Sequence, residues 1–452
     1  MPRLIFDLTI SASWSGPPVG IVRVERQLAR LAFEDASTAV EFSAFNPHVK
    51  GFGLLDKEIA RAVLAGHARL LPAFPKIERS ALAQELRQPR KRALRIFEAL
   101  QGTLSERGVL RRLNDMLLKW LKRRDLTKPR YRFDEPGVRW HRFSDVVSEP
   151  LTLGPDDVLF SCDFNWVGKD NSAINELKRQ YGFRFVAFCH DVMPWKFPQY
   201  FSRSYQTIFV AQLAEMSRCA DKVLVLSERS RQDYTEFCAH FMIPAPSIAR
   251  ISVPHWDAAE VEPSRGRIAE LARVPFVLFV STIEPRKNHR LAYQVWERLV
   301  ETAEIPANVQ LVFAGRIGWQ VSDLLHEIRE NPTVRGRILI VEGASDGEIV
   351  WLYRNCLFTI FPSAYEGYGL PAIESLRHGK LCVAADRGAL PEVLGHLGIL
   401  LDPFDLPAWR RKLRDLINDR TLLESRTAAI AEAARQAISA GVCPSFVSVV
   451  MK

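Results

Sequence analysis

Two carboxylates, Glu366 and Glu374, bracket the run EGYGLPAIE, and seven residues separate them. Between them lie Gly367, Tyr368, Gly369, Leu370 and Pro371, a stretch that lets backbone approach a ligand and then opens a helix. The run follows the apolar segment LFTIFPS (357–363), so it stands at the carboxyl end of an expected strand. A helix start presents free N–H groups and the positive end of its dipole, which suits phosphate. The carboxylates suit hydroxyl groups instead, such as those of a ribose or a sugar. Eighty residues upstream, Arg286 and Lys287 in STIEPRKN follow the apolar run FVLFVST (276–282). Two cations beside a helix start are poorly placed for the dipole and well placed for a diphosphate.

Two further segments carry weaker signals. GPPVGIVRVERQLARLAF (16–33) joins an expected strand to a helix from about Gly20, and a helix start there could cradle an anion. It has neither GxGxxG nor GxxxxGK[ST], so it is no ordinary dinucleotide or P-loop site. In FCHDVMPWKFPQYF (188–201), His190 and Asp191 stand directly after an apolar strand. The histidines show no metal spacing and the chain has no Asp-x-Asp pair, so no metal site is expected.

The elements that must position these residues are legible as alternation. Apolar, β-branched runs without polar alternation recur at 3–9, 158–162, 183–189 and 222–227, and again at 276–282, 309–315, 337–342, 357–363 and 381–385, with helical segments between them. Such runs read as strands buried on both faces, and the repeated βα order reads as doubly wound α/β architecture. Ligands of such sheets bind at the carboxyl ends of strands. Two sets of strands imply two Rossmann-like domains facing a cleft. Residues 1–265 are expected to form the first, with a mostly helical insertion at about 50–150, and 266–435 the second. Residues 436–452 are expected to pack back on the first domain.

The 452 residues carry a net charge of +9 and seven cysteines. No run of 18 or more apolar residues occurs, and no CxxC pair, so a membrane span, a disulfide frame and a zinc site are not expected. The reading is a cytoplasmic protein with reduced, buried thiols. The charge is local: residues 87–132 hold fifteen Lys or Arg against four Asp or Glu, and the rest of the chain is near neutral. Within that segment Val109, Leu113, Met116, Leu117, Trp120 and Leu121 fall at helical spacing among six cations. The pattern fits a helix lying on an anionic membrane surface, and equally a helix packing its apolar stripe on the core. A charge so localised does not point to nucleic acid.

Taken together, STIEPRKN and PSAYEGYGLPAIESLRHGK resemble glycosyltransferase family 4, the retaining group with the GT-B fold. The resemblance covers about 272–430; GIVRVERQLA, HDVMPWKFPQYF and LSERSRQDY match more loosely. It implies a transferase that moves a sugar from a nucleotide-diphosphate donor to a glycan hydroxyl without metal or other cofactor. Glu374 would hold ribose hydroxyls. Glu366 would bind the donor sugar with the amides of Gly367, Tyr368, Gly369 and Leu370. Arg286 and Lys287 would neutralise the diphosphate, faced by Gly20, and His190 would lie near the sugar and acceptor. The base would sit near Gly315, Arg316 and Ser345. The pattern departs from the family at Ser281–Thr282, where glycine is usual, and at Tyr368, where Phe is commoner. The GIVRVE segment looks like bacterial enzymes of surface polysaccharide synthesis (capsule, O-antigen or exopolysaccharide). A polyprenyl-diphosphate-linked acceptor at the inner membrane face would then explain the basic segment. A non-catalytic sugar-nucleotide-binding homologue, a sugar-nucleotide epimerase of the same fold and, from the basic segment 87–132, a nucleic-acid-binding protein are the rival readings, all ranked well below the transferase.

Overall fold

The computed structural model describes residues 2–14, 20–46, 50–70, 137–162, 171–252, 261, 266–439 and 446–452. Its first sheet holds eight strands: β1 (Arg3–Asp7), β2 (Ala39–Asn46), β3 (Gly51–Leu55), β6 (Val147–Pro150), β7 (Val158–Ser161), β8 (Arg184–Phe188), β9 (Lys222–Val225) and β10 (Ser247–Arg250). Their spatial order is β10-β9-β8-β7-β1-β2-β3-β6. The six strands from β10 to β2 run parallel, while β3 and β6 join antiparallel at one edge. The second sheet contains β11 (Phe276–Val280), β12 (Gln310–Ala314), β13 (Ile338–Val341), β14 (Thr359–Phe361), β15 (Cys382–Ala385) and β16 (Ile399–Leu401). All six are parallel in the order β13-β12-β11-β14-β15-β16. The chain therefore has the two Rossmann-like domains of a GT-B fold.

The period of a strand explains why both faces are apolar. Alternate side chains point to opposite faces, so a doubly covered strand needs no polar face. In β11, Val277 and Phe279 enter one core while Phe276 and Leu278 enter the other. In β1, Leu4 and Phe6 face one side and Ile5 the other. The helix His289–Glu301 seals one face of the second sheet with Leu291, Val295, Trp296 and Leu299.

The insertion read at 50–150 is different in outline where the structure describes it. β3 and β6 extend the main sheet, and β4 (Ala68–Leu70) pairs in parallel with β5 (Arg139–His141). The helices there are Lys57–Ala65 and the short Phe143–Val146. Short strands with glycine, such as GFGLL, carry little β signal by themselves and form because a neighbouring strand pairs with them. The basic segment 87–132 lies outside the described residues.

The last helix, Phe446–Met451, packs on the first domain. Phe446 meets the rings of Phe6 and Phe160, and Arg184 and Lys222 donate to the carbonyls of Met451 and Val449. Among the described residues no helix is long and apolar enough to cross a membrane, and six of the cysteines are buried thiols outside any disulfide.

Candidate functional site

In the second sheet β11 has β12 on one side and β14 on the other, so strand order reverses at β11/β14. The carboxyl ends of these two strands form the crevice where such sheets bind ligands. β11 leads through Ser281 to a tight turn at Pro285–Lys287, and β14 leads into residues 362–369. The two loops meet through charge. Lys287 Nζ lies 2.6 Å and Arg286 Nη1 2.9 Å from the same Glu366 oxygen, Oε1. Arg286 also donates to the Tyr365 carbonyl (2.9 Å) and pairs with Glu284 (2.9 Å). Lys287 Nζ stands 5.0 Å over the Phe361 ring.

Burial alone would raise the Glu366 carboxyl, but Arg286 and Lys287 outweigh it and hold the group below its usual range. For Lys287, burial and the neighbouring Arg286 pull the ammonium below its ordinary value despite Glu366. The two cations thus have different jobs. Both terminal nitrogens of Arg286 are committed to Glu366, Glu284 and the Tyr365 carbonyl, so it positions the loop. Lys287 offers a compact charge that can turn to an incoming anion.

Two glycines set the loop's path. A Cβ on Gly367 would stand 2.7 Å from the His190 carbonyl oxygen and 2.8 Å from the Asp191 Cβ, so only glycine lets the two domains touch here. Gly388, at φ +62°, lies under Glu366; a Cβ would be 2.3 Å from the Glu366 carbonyl oxygen.

The first domain clasps the same loop. Ser227 and Ser230 hydroxyls both donate to the Gly367 carbonyl, at 2.6 and 2.8 Å. The Tyr365 hydroxyl donates to Asp233 (2.6 Å), which also receives Lys196 and Arg229. Glu392 accepts from the amides of Glu228 and Arg229, at the start of helix Glu228–His240. A carboxylate from one domain thereby caps a helix of the other. His190 follows β8 and donates from Nε2 to the Cys162 carbonyl (2.9 Å), which fixes its tautomer. Burial pushes its imidazole down to about 4 against the support of that carbonyl, so it is neutral at physiological pH.

Glu374 sits one turn into the helix Leu370–Arg377. Tyr353 donates to its Oε2 (2.9 Å), and Arg23 of the first domain pairs with Oε1 (3.2 Å). Arg23 also reaches Asp346 (2.7 Å), so one arginine ties the domains together through two carboxylates. Gly20 opens the helix Gly20–Glu34, and a Cβ on it would lie 3.5 Å from Leu370, which opens the helix Leu370–Arg377. Two helix starts therefore face each other across the interface. Tyr368 and Leu370 pack against the first domain's core.

The structure brings Glu366, Gly367, Arg286, Lys287 and the His190 backbone together, with Gly20, Gly369 and Leu370 beside them. Arg316 is exposed, and its guanidinium lies 5.3 Å over the Trp14 ring. Gly315 follows β12 directly, with its amide on the Val341 carbonyl (2.9 Å). Ser345 caps the helix Asp346–Asn355, with Glu348 returning the bond. Arg23, Tyr353, Tyr365 and Asp233 were not singled out from the sequence. Arg23 lay inside the quoted GIVRVE, yet its partners are 323 and 351 positions away. No local spacing could announce them.

Comparison with known proteins bears on this geometry. Residues 262–437 match the family described as glycosyl transferases group 1. The chain is 29% identical over 252 residues to O-antigen chain mannosyltransferase B of Escherichia coli, covering 54% of this chain and 64% of that one. It is 27% identical over 293 residues to the serotype-specific mannosyltransferase WbdA of Escherichia coli, covering 63% of this chain and 35% of that protein. The matches thus span less than two thirds of either relative. In fold, the chain is similar to Anabaena HepE in complex with UDP and glucose, with TM-score 0.54, 15% identity, and 96% and 95% of the two chains covered. It is also similar to sucrose-phosphate synthase of Thermosynechococcus elongatus, with TM-score 0.51, 16% identity, and 98% and 100% covered.

Proposed function

We propose, on the premise that residues 262–437 form a group 1 glycosyl transferase domain, that this chain is a retaining, metal-independent glycosyltransferase of bacterial surface polysaccharide synthesis. The observation that carries the reading is the shared carboxylate: Glu366 Oε1 held by both Arg286 and Lys287 at the switch point, with the His190 backbone against Gly367. Breaking a sugar–diphosphate bond puts negative charge on the leaving oxygens. Lys287, turning from Glu366, and the start of helix Leu370–Arg377 bring positive charge to those oxygens, an electrostatic contribution to their release. Glu366, kept ionised by its cations, accepts hydroxyl hydrogens of the sugar. Glu374 accepts those of the ribose once Arg23 yields. His190 is neutral, and with Nε2–H committed to Cys162 it serves as a shaped wall and not as an acid.

The mannosyltransferase relatives favour a mannosyl nucleotide as donor and an O-antigen-type glycan as acceptor. A lipid-linked acceptor would place the protein at the inner face of the cytoplasmic membrane. The test is a thermal-shift panel of nucleoside diphosphates and their sugars, with EDTA and with Glu374→Ala. A donor at a hundred times its Kd stabilises by ~2.7 kcal/mol. One nucleotide should raise the midpoint regardless of EDTA and lose its effect in Glu374→Ala. No response to any of them sinks the transferase reading. The anomeric configuration of the product, read by NMR, decides retention.

A further inference from the structure

One buried cation is left over. Arg23, Arg26 and Arg30 fall on one face of the helix Gly20–Glu34, one and two turns apart. Arg23 is matched by Glu374 and Asp346. Arg30 is exposed and donates to the Leu64 carbonyl, at the end of helix Lys57–Ala65. Arg26 lies between them, only 4% exposed, and its Nε and Nη2 are buried with no hydrogen-bond partner. Arg69, equally buried on β4, adds a second guanidinium nearby and donates from Nη1 to its neighbour's carbonyl, Ala68 (2.9 Å). Glu25 is the adjacent carboxylate, and its Oε1 accepts the Ser11 amide (2.9 Å).

A buried guanidinium with empty donors is costly, and like charges beside it raise the cost. Burial, then Arg69 and Arg30, pull Arg26 down to about 10 against the help of Glu25 and Asp346. The unpaired, buried Nε/Nη2 edge is the one that meets two oxygens of a phosphate side-on. The neighbouring guanidinium groups of Arg69 and Arg30 favour a ligand of more than one negative charge. The largest charge influences on Arg26 come from Arg69, Glu25, Asp346 and Arg30, and those on Lys287 from Arg286, Glu366 and Glu284.

We propose that Arg26, flanked by Arg69 and Arg30, is a second anion site that binds the phosphate or diphosphate group of a ligand held by the first domain. Assigning that ligand as the acceptor rests on the transferase reading above; the anion site itself does not.

The test is calorimetric titration of the full chain with inorganic pyrophosphate and with farnesyl diphosphate, for wild type, Arg26→Gln and Lys287→Ala. Arg26→Gln should weaken binding at least tenfold, and Lys287→Ala should leave the Arg26-dependent event within twofold. Without anion, Arg26→Gln should melt no lower than wild type, since it removes a buried charge whose Nε and Nη2 have no hydrogen-bond partner. Arg26→Lys, which keeps the charge and loses the two-toothed edge, should fall between the two and serves if Arg26→Gln does not accumulate. Undiminished binding in both Arg26 variants overturns the proposal. So does loss of all binding in Lys287→Ala, which would place the anion at the donor site, or a large drop in the melting point of Arg26→Gln, which would make Arg26 a structural pillar. Tighter farnesyl diphosphate than pyrophosphate supports a lipid-linked ester; equal affinities support a site for the phosphate group alone. If no nucleotide binds but the Arg26-dependent event persists, the transferase reading falls and the anion site stands.

Discussion

Two arginine-containing clusters solve the same electrostatic problem differently. At the switch point, Arg286 and Lys287 are buried together with Glu366 and Glu284, so every cation has a carboxylate. On the helix Gly20–Glu34, Arg26 is equally buried but its Nε and Nη2 have no partner. A compensated cluster keeps its geometry without a ligand; an uncompensated one is completed by a ligand. The first can therefore hold a reacting group in place, while the second is built to recognise something that comes and goes.

Removing the shared carboxylate should break this contrast most sharply. Glu366→Ala leaves Lys287 buried beside Arg286 without its carboxylate and should cost about 3–5 kcal/mol in urea denaturation, with sugar transfer abolished. A Glu366→Ala chain as stable as wild type would show that the cluster is not compensated as described. Gly388→Ala forces a Cβ into the Glu366 carbonyl at a positive φ and should cost roughly 1–3 kcal/mol. It should also lower turnover more than Arg316→Ala, because it moves Glu366 itself. Equal turnover in the two variants would mean that the position of Glu366 does not limit the reaction.

The pH dependence sharpens the comparison further. His190 is held at about 4 in the folded protein, below its ordinary value, so it stays neutral while an unfolded histidine takes up a proton. Stability should then decline as pH falls from about 6.5 toward 4 and level off below that, by an amount on the order of 1–3 kcal/mol. His190→Asn should flatten that decline. Glu366 has the depressed carboxylate's behaviour: its contribution is present above the ordinary carboxyl range and is lost as pH drops through its lowered value. Ser345→Ala should have the smallest effect, about 1 kcal/mol from the lost helix cap, with donor affinity unchanged if Ser345 acts only as a cap. A tenfold weaker donor in that variant would restore Ser345 to the base pocket.

How much was legible depended on how local the cause was. Glu366, Glu374, Arg286 and Lys287 could be picked out because each follows an apolar strand, and parallel strands put their successors at one edge of the sheet. That Arg286 would be a holder, with Lys287 left as the mobile charge, could not be seen, because Tyr365 and Glu284 claim the guanidinium only after the β11 and β14 loops meet. The edge strands β3 and β6 were missed because short, glycine-bearing segments become strands through their neighbours.

By itself, then, the sequence determined the alternating apolar runs, hence the two parallel sheets, and the residue types that follow their strands. These depend on side-chain period and burial, which are properties of short stretches. The tertiary structure alone decided partnership: Arg23 with Glu374 and Asp346, Tyr365 with Asp233, Glu392 with the helix at Glu228, and no hydrogen-bond partner for the Nε and Nη2 of Arg26. Charge pairing acts over a few ångströms in space and is indifferent to separation along the chain, so only the folded arrangement could assign it.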